Sequence, residues 1–520
     1  MSIEKFAKAL KETLNKENIL TENGAVGYRT SGNPLVDFNF HISSFRNENE
    51  MEIVNEFAEA FAFQPVYAVK MLFFAGDIRQ GMGERKVFNS CLQWLAKFHS
   101  DYCDAVVPLI VEYTRWDYLV ALLGTKCDKR AWQVIKEQLD KDIERKAQDK
   151  PISLLAKWLP SVNTSSKATN ALGKTIASRL GMKECGYRKM LSGLRGHIDV
   201  VERKMSSNNW QEIDYNAVPS KANLKYKDAF LRHDNERRRQ YLNALEHNDG
   251  TAKINSSVAF PYEIVSSYFN GQWCVPDAAD SALEAMWCAL PDYVSDKNSG
   301  GTICIVDGSG SMGDTIGNTS VTAHDVARSL GIYFSERLTG AFKDKFITFS
   351  CNPQLVDLSN CKTLLEKIHV CVRHDECENT DIEKAFDLIL TTAIKGKLRQ
   401  ADLPKTILVI SDMEFDGAVY FNSYSRGEFM SGFKTLFETI GERFNAHGYT
   451  MPRLVFWNVN SRTKAIPLRE NEAGVALVSG FSPTIASMVF SGKLNPETVL
   501  FERLDSERYK PIGDAIANVG

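Results

Sequence analysis

Along residues 51 to 290 the apolar side chains return every three or four positions. Ile53, Val54, Phe57, Ala60 and Phe61 make one stripe, and Val87, Cys91, Leu92, Leu95 and Phe98 make another. That spacing puts each set on one face of an α-helix, and strand-like alternation is scarce throughout this half. Breakers separate the stripes at 76–83, Pro108, 124–128, Pro151, 160–166, Gly181, 193–196 and Pro219. Short helices of this kind bury their stripes most readily against their sequence neighbours. The first 50 residues read as a helix over 2–16 and then a polar stretch rich in Gly and Asn, expected to be partly mobile.

After Asp296-Lys297-Asn298-Ser299-Gly300-Gly301 the pattern changes to short β-branched runs alternating with longer helical ones. Strands are predicted at 302–306, 345–349, 367–372, 406–410, 454–459 and 475–478, with helices such as 323–339 and 381–392 between them. Alternation of this sort implies a doubly wound, mostly parallel sheet that binds ligands at the carboxyl ends of its strands. The fold class is therefore α + α/β: an N-terminal segment over 1–50, a HEAT-like helical repeat domain over 51–295 and a Rossmann-like domain over 296–520.

Composition narrows the setting. At 520 residues the chain is too long for one hydrophobic core, and 44% hydrophobic with 24% charged residues is ordinary for a soluble globular protein. No apolar run approaches the roughly 20 residues that span a bilayer, and the start, with acids among its bases, lacks the apolar core of a secretory signal. The 11 cysteines are odd in number and scattered through apolar segments, which suits a reducing compartment and a cytoplasmic location. The formal charge of −3 hides segregation: residues 161–255 hold 17 Lys and Arg against 10 Asp and Glu, a local +7, leaving about −10 elsewhere.

The first predicted strand of the second half runs into Asp307-Gly308-Ser309-Gly310-Ser311. Mg²⁺ takes about six oxygen ligands and keeps some of its waters, so hydroxyls with a few carboxylates suit it. Ser309 and Ser311 offer hydroxyls two positions apart, with Gly308 and Gly310 expected to let the backbone curl so that both face one point. Thr380, before the helix at Asp381, adds a third hydroxyl, and Asp412, after the strand over 406–410, adds a carboxylate. Asp307 is expected to hold a coordinated water and the Ser hydroxyls. A phosphate cradle is the rival reading of such a turn. Asp307, Asp314 and Asp412 would repel a phosphate, and no P-loop Lys follows. Asp-x-Ser-x-Ser followed by a Thr loop and an Asp loop resembles the metal-ion-dependent adhesion site of the von Willebrand factor A family over about residues 300–492. The resemblance implies Mg²⁺ (or Mn²⁺ or Ca²⁺) at Asp307, Ser309, Ser311, Thr380 and Asp412, with a partner protein's carboxylate at the open position and no turnover. Met413-Glu414 stands where that family often has Gly.

Three segments of the helical half carry a second resemblance: Phe74-Ala-Gly-Asp-Ile-Arg-Gln-Gly-Met-Gly-Glu-Arg-Lys, Arg115-Trp-Asp-Tyr-Leu and Trp158-Leu-Pro-Ser-Val-Asn-Thr-Ser-Ser-Lys. They are similar to the helical half of Ro ribonucleoprotein (TROVE) proteins. Through Tyr187-Arg-Lys-Met-Leu, Val201-Glu-Arg-Lys-Met and Phe230-Leu-Arg-His-Asp the chain is closer still to an uncharacterised family of plant, viral and bacterial proteins with the same two-part plan. Ro proteins bind small and misfolded RNAs, so the resemblance implies an RNA partner. Lys167, Lys174, Arg188, Lys189, Arg195, Arg203 and Lys204 are the candidates to neutralise phosphates, with Trp158, Tyr187 and Trp210 as stacking platforms and Arg79, Arg85 and Lys86 as weaker contacts. A solvated basic face with buried aromatics is the competing explanation.

Two further motifs are weaker. Gly76, Gly81 and Gly83 lie between helices without a preceding strand and read as a turn. His369, Cys371, His374 and Cys377 have zinc-ligand chemistry at unusual spacing. No nucleophile, base and orienter set is visible, so a non-enzymatic scaffold is expected, with metal-dependent protein assembly lacking any RNA role as the alternative.

Overall fold

Strands form where the apolar runs are short and β-branched. The computed structural model describes residues 18–198, 200–247, 250–269, 275–294, 299–349, 352–374, 381–416, 436–467, 475–489, 495–517 and 519. An N-terminal hairpin pairs β1 (Asn18–Leu20) with β2 (Val26–Tyr28), and the C-terminal half contributes β3 (Thr302–Asp307), β4 (Lys345–Phe349), β5 (Leu355–Asp357), β6 (Thr406–Ser411), β7 (Arg453–Asn458) and β8 (Val475–Ser479). The last six form one sheet in the order β5-β4-β3-β6-β7-β8, parallel except for the β4–β5 edge pair. Every position of β3, β7 and β8 is buried, as expected of parallel strands covered on both faces. The strand order reverses between β3 and β6, which opens a crevice at their carboxyl ends.

The predicted strand over 367–372 is wrong; it lies in the helix Leu364–Arg373. Leu364, Leu365, Ile368 and Cys371 are buried at helical spacing, and the Thr363 hydroxyl caps the helix by accepting the Glu366 N–H at 3.1 Å. The missed edge strand is β5, three residues long with only Val356 buried, too short for its alternation to register. The predicted helix over 2–16 lies outside the described residues.

Residues after Asn18 pack against the C-terminal half. Leu35, Val36, Phe38, Phe40, Ile42 and Phe45 are buried, although the surrounding composition is polar. The helix Pro34–His41 lies on β8 at the ends of the last two strands, where Asn458 Nδ2 of β7 donates to Phe40 O at 2.9 Å and Ser479 Oγ of β8 to Asn39 O at 3.0 Å. From the other end of the chain, the helices Pro496–Leu504 and Lys510–Ile516 return onto Pro65–Gly76. One hydrophobic core therefore runs through both halves, with a second, small core around Trp210, Tyr215, Phe230 and Tyr241. In the helical half, neighbours in sequence are neighbours in space: Glu50–Phe63, Pro65–Gly76, Arg85–Phe98 and Ser100–Val106 pack in succession.

The glycine-rich turn of the helical half is where the two ends of the chain meet. Asp77 is fully buried and accepts from Arg508 Nε at 2.9 Å, from Arg508 Nη2 at 3.3 Å and from the Tyr509 hydroxyl at 3.2 Å. Glu84 takes a forked pair from Arg46, whose guanidinium also stacks 3.9 Å over the Phe481 ring. A Cβ on Gly81 would stand 2.1 Å from Phe74 O, and one on Gly76 would stand 2.3 Å from the Phe88 ring. A neighbouring backbone carbonyl sets Gly81, in the turn, and the Phe88 ring sets Gly76, at the end of the helix before it.

Candidate metal centre

The crevice between β3 and β6 receives the last residue of one strand and the first residue after the other. Asp307 ends β3 fully buried; its Oδ1 accepts the Ser309 N–H at 2.9 Å and its Oδ2 accepts the Ser411 hydroxyl at 2.6 Å. The chain then makes one 3₁₀ turn, Gly310–Gly313, with Met312 N donating to Ser309 O at 3.1 Å. This turn brings the Ser309 and Ser311 hydroxyls within 3.0 Å of each other. Glycine is not what permits it. Neither Gly308 nor Gly310 has a positive φ, and a Cβ on Gly308 would meet nothing within 4 Å. The Asp307–Ser309 backbone bond and the 3₁₀ turn do the curling instead.

Asp412, immediately beyond β6, is 1% exposed. Its Oδ1 accepts the Glu414 N–H at 3.2 Å, its Oδ2 lies 3.3 Å from Arg462 Nη2, and the nearby Ser311 hydroxyl favours its ionised form. Four of the five expected ligands, Asp307, Ser309, Ser311 and Asp412, thus meet in one crevice. Thr380 lies outside the described residues; its neighbour Asp381 caps the helix Ile382–Lys395 by accepting the Lys384 N–H at 3.3 Å.

Electrostatically the crevice sets two buried carboxylates against the Arg462 guanidinium. Burial and then the nearby Asp412 charge push the Asp307 carboxyl above the ordinary carboxylate range. Burial likewise raises Asp412, against the downward pull of Arg462. Two carboxylates that resist ionising side by side, with hydroxyls aimed among them, are a donor set for a hard dication. Among the described residues no three His, Cys, Asp or Glu side chains gather to hold a metal, so this set works through hydroxyl oxygens or not at all. The zinc candidates do not converge. His369 Nε2 contacts Pro276 O at 3.1 Å, His374 Nδ1 contacts Gln354 Oε1 at 2.7 Å, Cys371 is buried on a helix and Cys377 lies outside the described residues.

Three contributors were given no role in the site by the sequence. Met413 has φ 64° and is fully buried, a left-handed backbone carrying a packed side chain. Glu414, also buried, is the anchor of the rim: its carboxylate accepts the N–H groups of Glu22 (2.9 Å), Arg462 (2.7 Å) and Thr463 (2.8 Å) and the Ser461 hydroxyl (3.2 Å). Arg462 is the third. These partners lie 392 and about 50 positions away in sequence, beyond the reach of local spacing.

The basic candidates divide. Arg188, Lys189, Arg195 and Arg203 line one cavity of about 710 Å³ together with Ser161, Asn163 and Ser192. Within it Arg195 is committed to the fold, donating to Ala156 O (2.8 Å), Leu159 O (2.7 Å) and Ser161 Oγ (2.8 Å), and Arg203 donates to Gly196 O. Arg188 and Lys189 are exposed, as is Lys167. Lys174 pairs with Glu184 at 3.3 Å, and Lys204 is half-buried on the helix Val201–Ser206. Arg79 donates to Glu112 O at 2.9 Å, Lys86 reaches Arg46 O and Glu48 O, and Arg85 is exposed. As stacking platforms, Tyr187 and Trp210 are corrected: both are buried, Tyr187 donating to Pro160 O at 3.0 Å and Trp210 stacked on His233 at 4.5 Å. Trp158 is half-buried under the Arg115 guanidinium at 4.4 Å.

Residues 301–509, which include all four assembled ligands and Arg462, match the profile of a domain of unknown function (DUF7788). Residues 21–106 and 182–297 match a second domain of unknown function (DUF2828). An uncharacterised protein of Acanthamoeba polyphaga mimivirus is 29% identical over 531 residues, covering 95% of this chain and 88% of that one. Among solved structures, the Ro (RSR) protein of Deinococcus radiodurans aligns over 88% of this chain and 99% of its own, with 13% identity and a TM-score of 0.43. Among the described residues no helix is long and apolar enough to cross a membrane.

Proposed function

We propose that the chain is a non-enzymatic scaffold whose C-terminal half is a von Willebrand factor A-type module. In this reading Asp307, Ser309, Ser311, Thr380 and Asp412 hold Mg²⁺, or Mn²⁺ or Ca²⁺ in its place, and the cation presents an open position to a carboxylate of a protein partner. The observation that carries it is the pair of buried carboxylates facing two serine hydroxyls at the strand-order reversal of the sheet. The cation supplies positive charge and a coordination site. The chain's own groups orient it: Ser411 and the Ser309 N–H fix Asp307, and the Glu414 N–H fixes one oxygen of Asp412. Thermal unfolding with Mg²⁺ or Mn²⁺ against chelator tests the site. A dication-dependent rise in Tm that Asp412→Ala abolishes supports it, and no rise in the wild type ends it.

A second activity, RNA binding by a HEAT-like helical half, is favoured by the cavity that gathers Arg188, Lys189 and Arg203. Filter binding of structured and single-stranded RNA across a salt series tests it. Affinity that falls as salt rises supports phosphate contact, and absence of binding at low salt leaves metal-dependent protein assembly as the function.

A further inference from the structure

Arg462 reaches the metal crevice from the loop after β7 and touches three carboxylates with one guanidinium. Nη2 lies 3.3 Å from Asp412 Oδ2 and 2.9 Å from Glu22 Oε2, and Nη1 pairs with Asp314. The loop is fixed in place, because the Glu414 carboxylate accepts the N–H groups of Arg462 and Thr463. That same carboxylate accepts the Glu22 N–H, and Asn23 Nδ2 donates to Glu414 O at 2.7 Å. Arg462 and the β1–β2 turn are therefore delivered to Asp412 by one anchor.

The three acids differ in setting. Asp412 is 1% exposed, whereas the side chains of Glu22 and Asp314 are 48% and 66% exposed. Asp412 gives one oxygen to the Glu414 N–H, and the other oxygen, which a cation would share, faces Arg462. A dication and a guanidinium a few ångströms apart in a buried crevice repel strongly, and both cannot sit on that oxygen. We infer that Arg462 is a built-in competitor of the divalent cation: it neutralises Asp412 in the metal-free protein and moves onto Glu22 and Asp314 when the cation binds. This rests on the metal reading above. Its consequence is that the N-terminal turn, through Glu22, sets how readily the crevice accepts metal.

The test is Mn²⁺ binding to the full chain, followed by the paramagnetic resonance signal of the free ion, in the wild type, Arg462→Gln, Glu22→Gln and the double variant. Arg462→Gln is expected to bind Mn²⁺ about tenfold tighter, the scale of losing one partly buried like charge. Glu22→Gln is expected to bind about threefold weaker, because Arg462 loses an alternative partner, and most of that loss should vanish in the Arg462→Gln background. Arg462→Lys keeps the charge but cannot fork across three acids, and should bind several-fold tighter than the wild type. If the wild type binds Mn²⁺ and the two Arg462 variants bind equally or more weakly, the competition is overturned. A Glu22→Gln effect of equal size in both backgrounds also overturns it, since that is long-range field alone. If neither the wild type nor any variant binds Mn²⁺, the metal reading falls and takes this inference with it.

Discussion

Replacing Asp77 by Ala should unlatch the two ends of the chain. The carboxylate is fully buried and takes two bonds from the Arg508 fork, one from the Tyr509 hydroxyl and one from the Arg79 N–H at 2.9 Å. Removing it leaves Arg508, 17% exposed, without its principal partner; breaking a buried pair from one side costs about 3–5 kcal/mol. The residual contacts of Arg508 with Glu112 and the Tyr113 ring place this case at the lower end. The loss should fall on the turn that Asp77 begins, where Gly81 N donates to Asp77 O, Met82 N to Phe74 O and Glu84 N to Ala75 O. If opening of that turn becomes easier by about 3 kcal/mol, these amides exchange with solvent roughly 100-fold faster. Hydrogen exchange read by mass spectrometry over residues 77–84 measures this directly. Exchange within about threefold of the wild type would refute the latch.

Other expectations follow from single observations. Gly81→Ala should cost about 3 kcal/mol or more, read by urea unfolding, because its Cβ would sit 2.1 Å from a backbone carbonyl. Asp307 and Asp412 are both held above the ordinary carboxylate range, so the native state keeps protons that the unfolded chain has lost. Stability of the metal-free protein should therefore fall as pH rises from about 4, the unfolded Asp value, through the raised native values, and saturating Mg²⁺ should flatten that slope. A Tm against pH series with and without Mg²⁺ checks the sign. Arg188→Ala with Lys189→Ala should weaken RNA binding and reduce its salt slope by about 1–2, without lowering Tm, whereas Arg195→Ala should lower Tm because its three hydrogen bonds hold the 156–161 turn.

The parts of the fold that local pattern controls were legible in the sequence. β3, β4, β6, β7 and β8 fall within a residue or two of the predicted runs because both faces of each central strand demand apolar residues. The segment over 367–372 misled because Ile368, Val370 and Val372 alternate like a strand, while the burial that decides it runs Leu364, Leu365, Ile368 and Cys371. That Asp307, Ser309, Ser311 and Asp412 would gather was legible, because they lie at the ends of the two strands between which the sheet order reverses. Glu414 and Arg462 were not, since their importance arises from a hairpin near residue 22 that pattern reading set aside as polar. The aromatic candidates failed for the opposite reason: Tyr187 adjoins Arg188 and Trp210 follows Arg203 and Lys204 by six or seven positions, but the fold turns both rings inward.

Anomalous diffraction from crystals soaked in Mn²⁺ tests the central claim most directly. The account predicts one strong peak between the hydroxyls of Ser309 and Ser311 and the carboxylate of Asp412, at about 2.0–2.3 Å from their oxygens, and no such peak in Asp307→Ala. Manganese bound elsewhere, or a wild-type crevice that stays empty while Arg462 keeps its hold on Asp412, would contradict it.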